Sequence, residues 1–178
     1  MTDDTGNRRI DRIRAEGFSE GLDGLSLEDL RDRRDECRLE LEYLSLLRRL
    51  LQGRAEILKA EIERRTGDGI EQISLVGRLA EVLGADEHPV SSRGAAVQVG
   101  VPDEEITLAR RRIERLWADA GLSDPSGHEP AELERAVELL LAAEGDVSAD
   151  RNEVIGVLDR LQEELKRRYR DDPSLVLS

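Results

Sequence analysis

Apolar residues recur every seven positions in two long stretches of the chain. In the first, Leu30, Cys37, Leu44, Leu51 and Leu58 form one line, and Arg34, Leu41, Arg48, Ala55 and Ile62 form its companion. In the second, the lines are Leu133, Leu140, Val147, Val154 and Leu161, and Val137, Glu144, Arg151, Leu158 and Leu165. A two-position seam sustained over about five heptads predicts coiled-coil helices. Ser26 is a good N-cap with Asp29 one turn later, and Thr66-Gly67-Asp68-Gly69 is a stop signal, so the first helix is predicted at about 27–66. Its length is then roughly 60 Å. Pro130 suits a first helical turn and Asp171-Asp172-Pro173 ends the pattern, giving a second helix at about 130–170. Gly145 costs ~1 kcal/mol of helix propensity, too little to break so regular a pattern.

Between them, Ile70, Ile73, Leu75, Val76, Leu79, Val82 and Leu83 predict a short helix at about 70–84. A loop rich in Pro, Ser and Gly follows over 85–102, and Pro102-Asp103-Glu104-Glu105 opens another short helix at about 103–120. That helix carries Ile106, Ile113, Leu116 and Trp117; Trp117 is a packing residue for the short helices or an anchor for a partner. Residues 1–24 are polar and Gly-containing and are expected to be a flexible segment, and 173–178 a tail. The expected fold is all-α: a long antiparallel helical hairpin (coiled coil) with two shorter helices in the connection, in a single elongated domain over 25–172.

An offset of 103 superimposes the two seams position by position. Ser148 falls on Ser45 and Arg151 on Arg48, and beyond the seam Glu164, Arg167, Arg168 and Asp171 fall on Glu61, Arg64, Arg65 and Asp68. Joint registration of polar and apolar positions points to an internal duplication. It also repeats a polar stripe: Leu41, Ser45, Arg48, Gln52, Glu56 in one copy and Glu144, Ser148, Arg151, Ile155, Asp159 in the other. An antiparallel fold-back is expected to bring Arg48 and Arg151 to the same level about a pseudo-two-fold axis.

Composition narrows the function classes. Charged residues make up 38% of the 178 and aromatics only 2%, which suits exposed helices rather than a large globular core. The net charge of −13 argues against direct nucleic-acid binding and fits a basic protein partner, or simple solubility. The one cysteine, Cys37, excludes an intramolecular disulfide and sits at a core position. No apolar run reaches the ~20 residues that span a bilayer, and Met1-Thr2-Asp3-Asp4 does not open a signal peptide, so a cytoplasmic chain is expected, with no membrane partner. His88 and His128 lie in predicted loops with no His or Cys at ligand spacing, so no metal is expected. Nothing resembles a nucleophile elbow, P-loop or dinucleotide fingerprint, and neither catalytic residues nor an enzyme are expected.

The stripe itself can be read in two ways. Ser45, Arg48, Gln52 and Glu56 fall within an arc of roughly 80° on one helix. Such a set can bind a guanine nucleotide: arginine pairs with guanine O6 and N7 or a phosphate, a carboxylate accepts from guanine N1–H and N2–H, and Ser and Gln reach phosphate or sugar oxygens. Alternatively, polar residues at isolated seam positions set register, with Arg48 paired to Glu144 or Glu56 and Arg151 extending its head to water.

The run Leu44-Ser45-x-x-Arg48-Arg49-Leu50-Leu51-Gln52-Gly53-Arg54-Ala55-Glu56-Ile57-Leu58 resembles the actinobacterial RsiG anti-sigma family. The similarity extends over about 25–172, including Arg167-Arg168-Tyr169-Arg170. The resemblance implies an antiparallel helical pair with a Glu-x3-Ser-x2-Arg-x3-Gln-x3-Asp motif on each long helix. It further implies that the pair takes a dimer of cyclic di-GMP and sequesters a sporulation or flagellar sigma factor of the WhiG type, as a monomer with an intramolecular coiled coil. Ligand roles then fall on Ser45, Arg48, Gln52 and Glu56 in the first copy and on Glu144, Ser148, Arg151 and Asp159 in the second. Leu41 departs from the motif's Glu, Ile155 from its Gln, and Glu56 replaces Asp. A nucleotide-independent helical adaptor binding another protein is the alternative.

Overall fold

The computed structural model describes residues 8–66, 102–119 and 127–176, and the described residues contain helices and no strand. The helices are α1 (Arg9–Arg14), α2 (Leu27–Thr66), α3 (Asp103–Asp119) and α4 (Pro130–Asp171), with 3₁₀ turns at Glu16–Phe18, Leu22–Gly24 and Pro173–Val176. The short helix expected at about 70–84 lies outside the described residues. The two long helices begin and end where capping chemistry and heptad pattern placed them, and α4 runs through Gly145 without a break.

Both long helices start on halves of the same capping device. At α2, the Asp29 N–H donates to Ser26 Oγ at 3.0 Å. At the duplicated position of α4, the Glu129 N–H donates to the Glu132 carboxylate at 3.0 Å. Each bond satisfies one of the donors that a helix start leaves without an intrahelical acceptor.

The chain forms two compact units, Met1–Leu44 with Ala149–Ser178, and Ser45–Ser148. Within the first, α2 and α4 run antiparallel. Arg31 Nε donates to the Tyr169 hydroxyl at 3.1 Å, and α1 meets α2 near Glu36 and Glu40 and α4 near Asp150 and Glu153. Within the second they are again antiparallel, with Gln52 bonded to Glu144 and Arg65 to the His128 carbonyl.

The principal seam is buried as the heptads predict: Leu30, Cys37, Leu44, Leu51 and Leu58 on α2, and Leu133, Leu140, Val147, Val154 and Leu161 on α4. The companion line is mixed. Ala55, Val137 and Leu165 are buried, whereas Arg34, Leu41, Arg48, Ile62, Glu144, Arg151 and Leu158 are half-buried. Burial extends instead to the opposite flank, through Glu40, Leu47, Ala136 and Val157. The contacts of α1 and α3 lie on this flank of α2, at Glu36 and Glu40 in one unit and at Arg54 in the other.

The segment expected to be flexible therefore contains an ordered helix. Ile10 and Ile13 of α1 are each 2% exposed, and burying an isoleucine contributes roughly 2–3 kcal/mol. Arg9 reaches the buried Glu40 at 3.3 Å, Arg12 pairs with Glu36, and Arg14 bonds both Asp150 and Glu153 at 2.6 Å. The duplication also reaches further than the long helices: Arg8-Arg9-Ile10-Asp11-Arg12-Ile13-Arg14 and Arg111-Arg112-Ile113-Glu114-Arg115-Leu116-Trp117 align at the same offset of 103. Ile113, the counterpart of Ile10, is likewise buried. Each copy is thus a short helix followed by a long one.

The C-terminal ends of the long helices carry a duplicated clamp. Arg64 and Arg65 both donate to the Glu61 carboxylate, at 2.7 and 2.6 Å, and Arg65 also donates to the His128 carbonyl. In the other unit Arg167 and Arg168 donate to Glu164 at 2.7 and 2.8 Å, and Arg168 donates to the Leu25 carbonyl at 2.7 Å. His128 and Leu25 each lie two residues before a long helix begins. One long helix therefore grips the entry to the other.

Candidate ligand-binding site

The polar stripe of the second unit converges on one carboxylate. Glu144 Oε1 accepts from Gln52 Nε2 at 3.0 Å and from Ser148 Oγ at 3.0 Å, and Arg48 Nη1 lies 4.0 Å from it. Arg48 and Glu144 keep 22% and 20% of their side-chain surface exposed, so the ion pair is shielded but reachable from solvent. α2 supplies Arg48 and Gln52 one turn apart, and α4 supplies Glu144 and Ser148 in the same relation. These spacings stack side chains on one helix face.

The remaining predicted residues stand elsewhere. Glu56 receives an ion pair from Lys59 of its own helix at 2.7 Å. Ser45 and Arg151 are half-buried and each has an interaction partner. Arg151 and the exposed Asp159 belong to the other unit. Four of the eight predicted residues are thus joined in one cluster: Arg48, Gln52, Glu144 and Ser148.

The departures from the motif are related by the duplication. Subtracting or adding the offset carries the bonded pair Gln52 and Glu144 onto Ile155 and Leu41, both half-buried. One copy keeps a complementary polar pair at these positions and the other a complementary apolar pair. Neither acidic neighbour of Leu41 restores the missing carboxylate to the stripe. Glu40 is buried and paired with Arg9, and burial raises the Glu42 carboxyl, whose Oε2 is buried with no hydrogen bond.

Two features escaped the heptad reading. Arg54, on α2 beside the stripe, lays its guanidinium over the Trp117 ring at 4.8 Å, which ties α3 to α2. Glu40 is an acid buried at the flank because α1 covers it. The match between residues 8–14 and 111–117 was the signal that could have announced a helix there. Among the described residues no group of acidic, His or Cys side chains could hold a metal ion, and no helix is long and apolar enough to cross a membrane.

The cluster can act chemically in two ways. Arg48, Gln52 and Ser148 offer donors to anionic or carbonyl oxygens, and Glu144 offers an acceptor to an N–H edge. Joined to one another, the same groups fasten α2 to α4. A comparison with curated proteins finds no match for the chain. Residues 16–83, which include all of α2, match the model of a family described as RsiG-like, the family that the stripe resembles.

Proposed function

We propose that this protein is an anti-sigma factor, a regulatory and non-enzymatic chain that holds a sigma factor of the WhiG type away from core polymerase. The match of residues 16–83 to the RsiG-like family carries this reading. Cyclic di-GMP is the proposed ligand of the stripe. Arg48 and Arg151 take guanine or phosphate oxygens, Glu144, Glu56 and Asp159 accept from guanine N–H groups, and Ser45, Gln52 and Ser148 reach phosphate or sugar. The Arg48–Gln52–Glu144–Ser148 cluster supports a polar site at this level of the helices.

Isothermal titration with a WhiG-type sigma factor, with and without cyclic di-GMP, tests both parts. Tight sigma binding that strengthens with the nucleotide is expected. Absence of sigma binding under both conditions overturns the reading, and equal binding under both removes the nucleotide from it.

The bonds that Gln52 and Ser148 already make to Glu144 favour a second reading, a nucleotide-independent helical adaptor in which the stripe is a clasp. The double substitution Arg48→Ala, Arg151→Ala separates the two. A ligand site loses nucleotide affinity at little cost in melting temperature, whereas a clasp loses stability and shows no nucleotide effect.

A further inference from the structure

Charged side chains of the long helices hold the segment from α1 to Ser19. Glu40 and Glu36 of α2 face Arg9 and Arg12, and Asp150 and Glu153 of α4 face Arg14. Beyond α1, Arg33 of α2 donates to the Gly17 and Phe18 carbonyls at 3.0 and 2.6 Å, and Arg160 of α4 donates to the Ser19 hydroxyl at 3.1 Å. All of these residues belong to one compact unit. At the offset of 103, Glu36, Glu40, Asp150 and Glu153 correspond to Leu139, Ala143, Leu47 and Leu50, and Arg33 and Arg160 to Ala136 and Ile57. Each of the six charged positions that serve this segment is apolar in the other copy.

Such an attachment is suited to exchange. Arg12 and Arg14 keep 52% and 37% of their side-chain surface exposed, so their ion pairs are weak and screened by salt. α1 has only six residues and no side-chain bond at its N-cap, too little to hold a helix without its surroundings. What seats it is the pair Ile10 and Ile13, both buried, between arginines. Its one acid, Asp11, is met by the adjoining Arg8 at 3.7 Å. A longer helix with the same spacing makes the same contacts and is less dependent on them for its own order.

We infer that α1 is a displaceable occupant, and that the flank of α2 and α4 beneath it docks a basic amphipathic helix of a partner protein. The chain's own segment shows what fits. Isoleucines three apart are buried, arginines meet Glu36, Glu40, Asp150 and Glu153, and the C-terminal end points to Arg33 and Arg160. Cations beside the carbonyls that end a helix match its dipole, which fixes the direction of the docked helix. The net charge of −13 draws a basic partner toward this surface. The flank is separate from the polar stripe, and the inference does not depend on the anti-sigma reading.

Fluorescence anisotropy on the intact chain tests the inference, with a labelled synthetic helix of about 18 residues that repeats the Arg and Ile spacing of residues 8–14. Two variants release α1 without altering the long helices: Ile10→Asp with Ile13→Asp, and Arg12→Glu with Arg14→Glu. Circular dichroism checks that the long helices survive in each. Both are expected to bind the probe saturably and at least about tenfold more tightly than the unaltered chain, in which α1 competes. Adding Glu36→Lys with Glu153→Lys weakens that binding about tenfold or more. Glu134→Lys, at an exposed position of α4 in the other unit, leaves it unchanged. A probe of the same composition with its isoleucines scattered around the helix binds at least about tenfold more weakly. Equal affinity of the released and unaltered chains, absence of saturable binding to the released variants, no loss in the lysine variant, or equal binding of the scattered probe overturns the inference. α1 is then a permanent part of the fold.

Discussion

Glu144 shows how a single residue settles between two uses of one motif. Its Oε1 accepts from Gln52 and Ser148, so truncation leaves two donors without their acceptor and Arg48 without its nearby carboxylate. Glu144→Ala is expected to cost about 1–2 kcal/mol, read as a lower urea midpoint. The duplication prescribes the rescue. Gln52→Ile together with Glu144→Leu copies the Leu41 and Ile155 pair into the second unit and should recover most of that loss, because an apolar pair of similar volume commonly matches a shielded polar one. A double-mutant cycle that finds the two changes additive rejects this coupling. Cys37 behaves in the opposite manner: burial pushes its thiol up to about 12. An aromatic disulfide reagent at pH 8 should leave it unmodified in the folded protein and titrate it in denaturant. The seam position of Cys37 was legible from spacing alone. The bond between Gln52 and Glu144 was not, since heptad spacing places both on facing helices without fixing which pairs meet.

Among the helices, the clearest device is the clamp that closes each long one. Hydrogen bonds from Arg64 and Arg65 hold the Glu61 carboxyl down at about 2, and those from Arg167 and Arg168 do the same for Glu164. A folded pKa below the ordinary 4.5 means that the stabilisation is present above that value and is lost as pH falls through about 2. With solvent screening allowed for, roughly 1 kcal/mol per clamp is at stake. Chemical denaturation between pH 6 and 2 should show this loss, and Glu61→Gln with Glu164→Gln should flatten the profile over that range. Retention of the full slope in the double variant assigns the acid sensitivity elsewhere. The paired Glu and Arg positions were visible in the repeat, but their grip on the His128 and Leu25 carbonyls was not. α1 was missed for a related reason: six residues are too few to show a heptad, and only burial of Ile10 and Ile13 makes them a helix.

At the scale of the whole molecule, the charge of −13 makes long-range attraction the first step of meeting a basic partner. The association rate with the proposed sigma factor is expected to fall steeply between ~50 and ~500 mM salt, with a smaller change in dissociation rate; a salt-independent on-rate contradicts an electrostatic encounter. The all-α hairpin, the limits of its long helices, their buried seam and the duplication all follow from the sequence. Each depends on chemistry that repeats along a single helix: apolar spacing, caps and stops. Tertiary structure decided what depends on a second element. It chose Glu144 as the acceptor for Gln52, buried Glu40 under α1, and laid Arg54 over Trp117. It also decided that two short helices of like sequence differ in their surroundings: α1 pairs with four carboxylates of the long helices, whereas α3 meets Arg54 through Trp117. A helix sequence states what a face carries, and only packing states what that face meets.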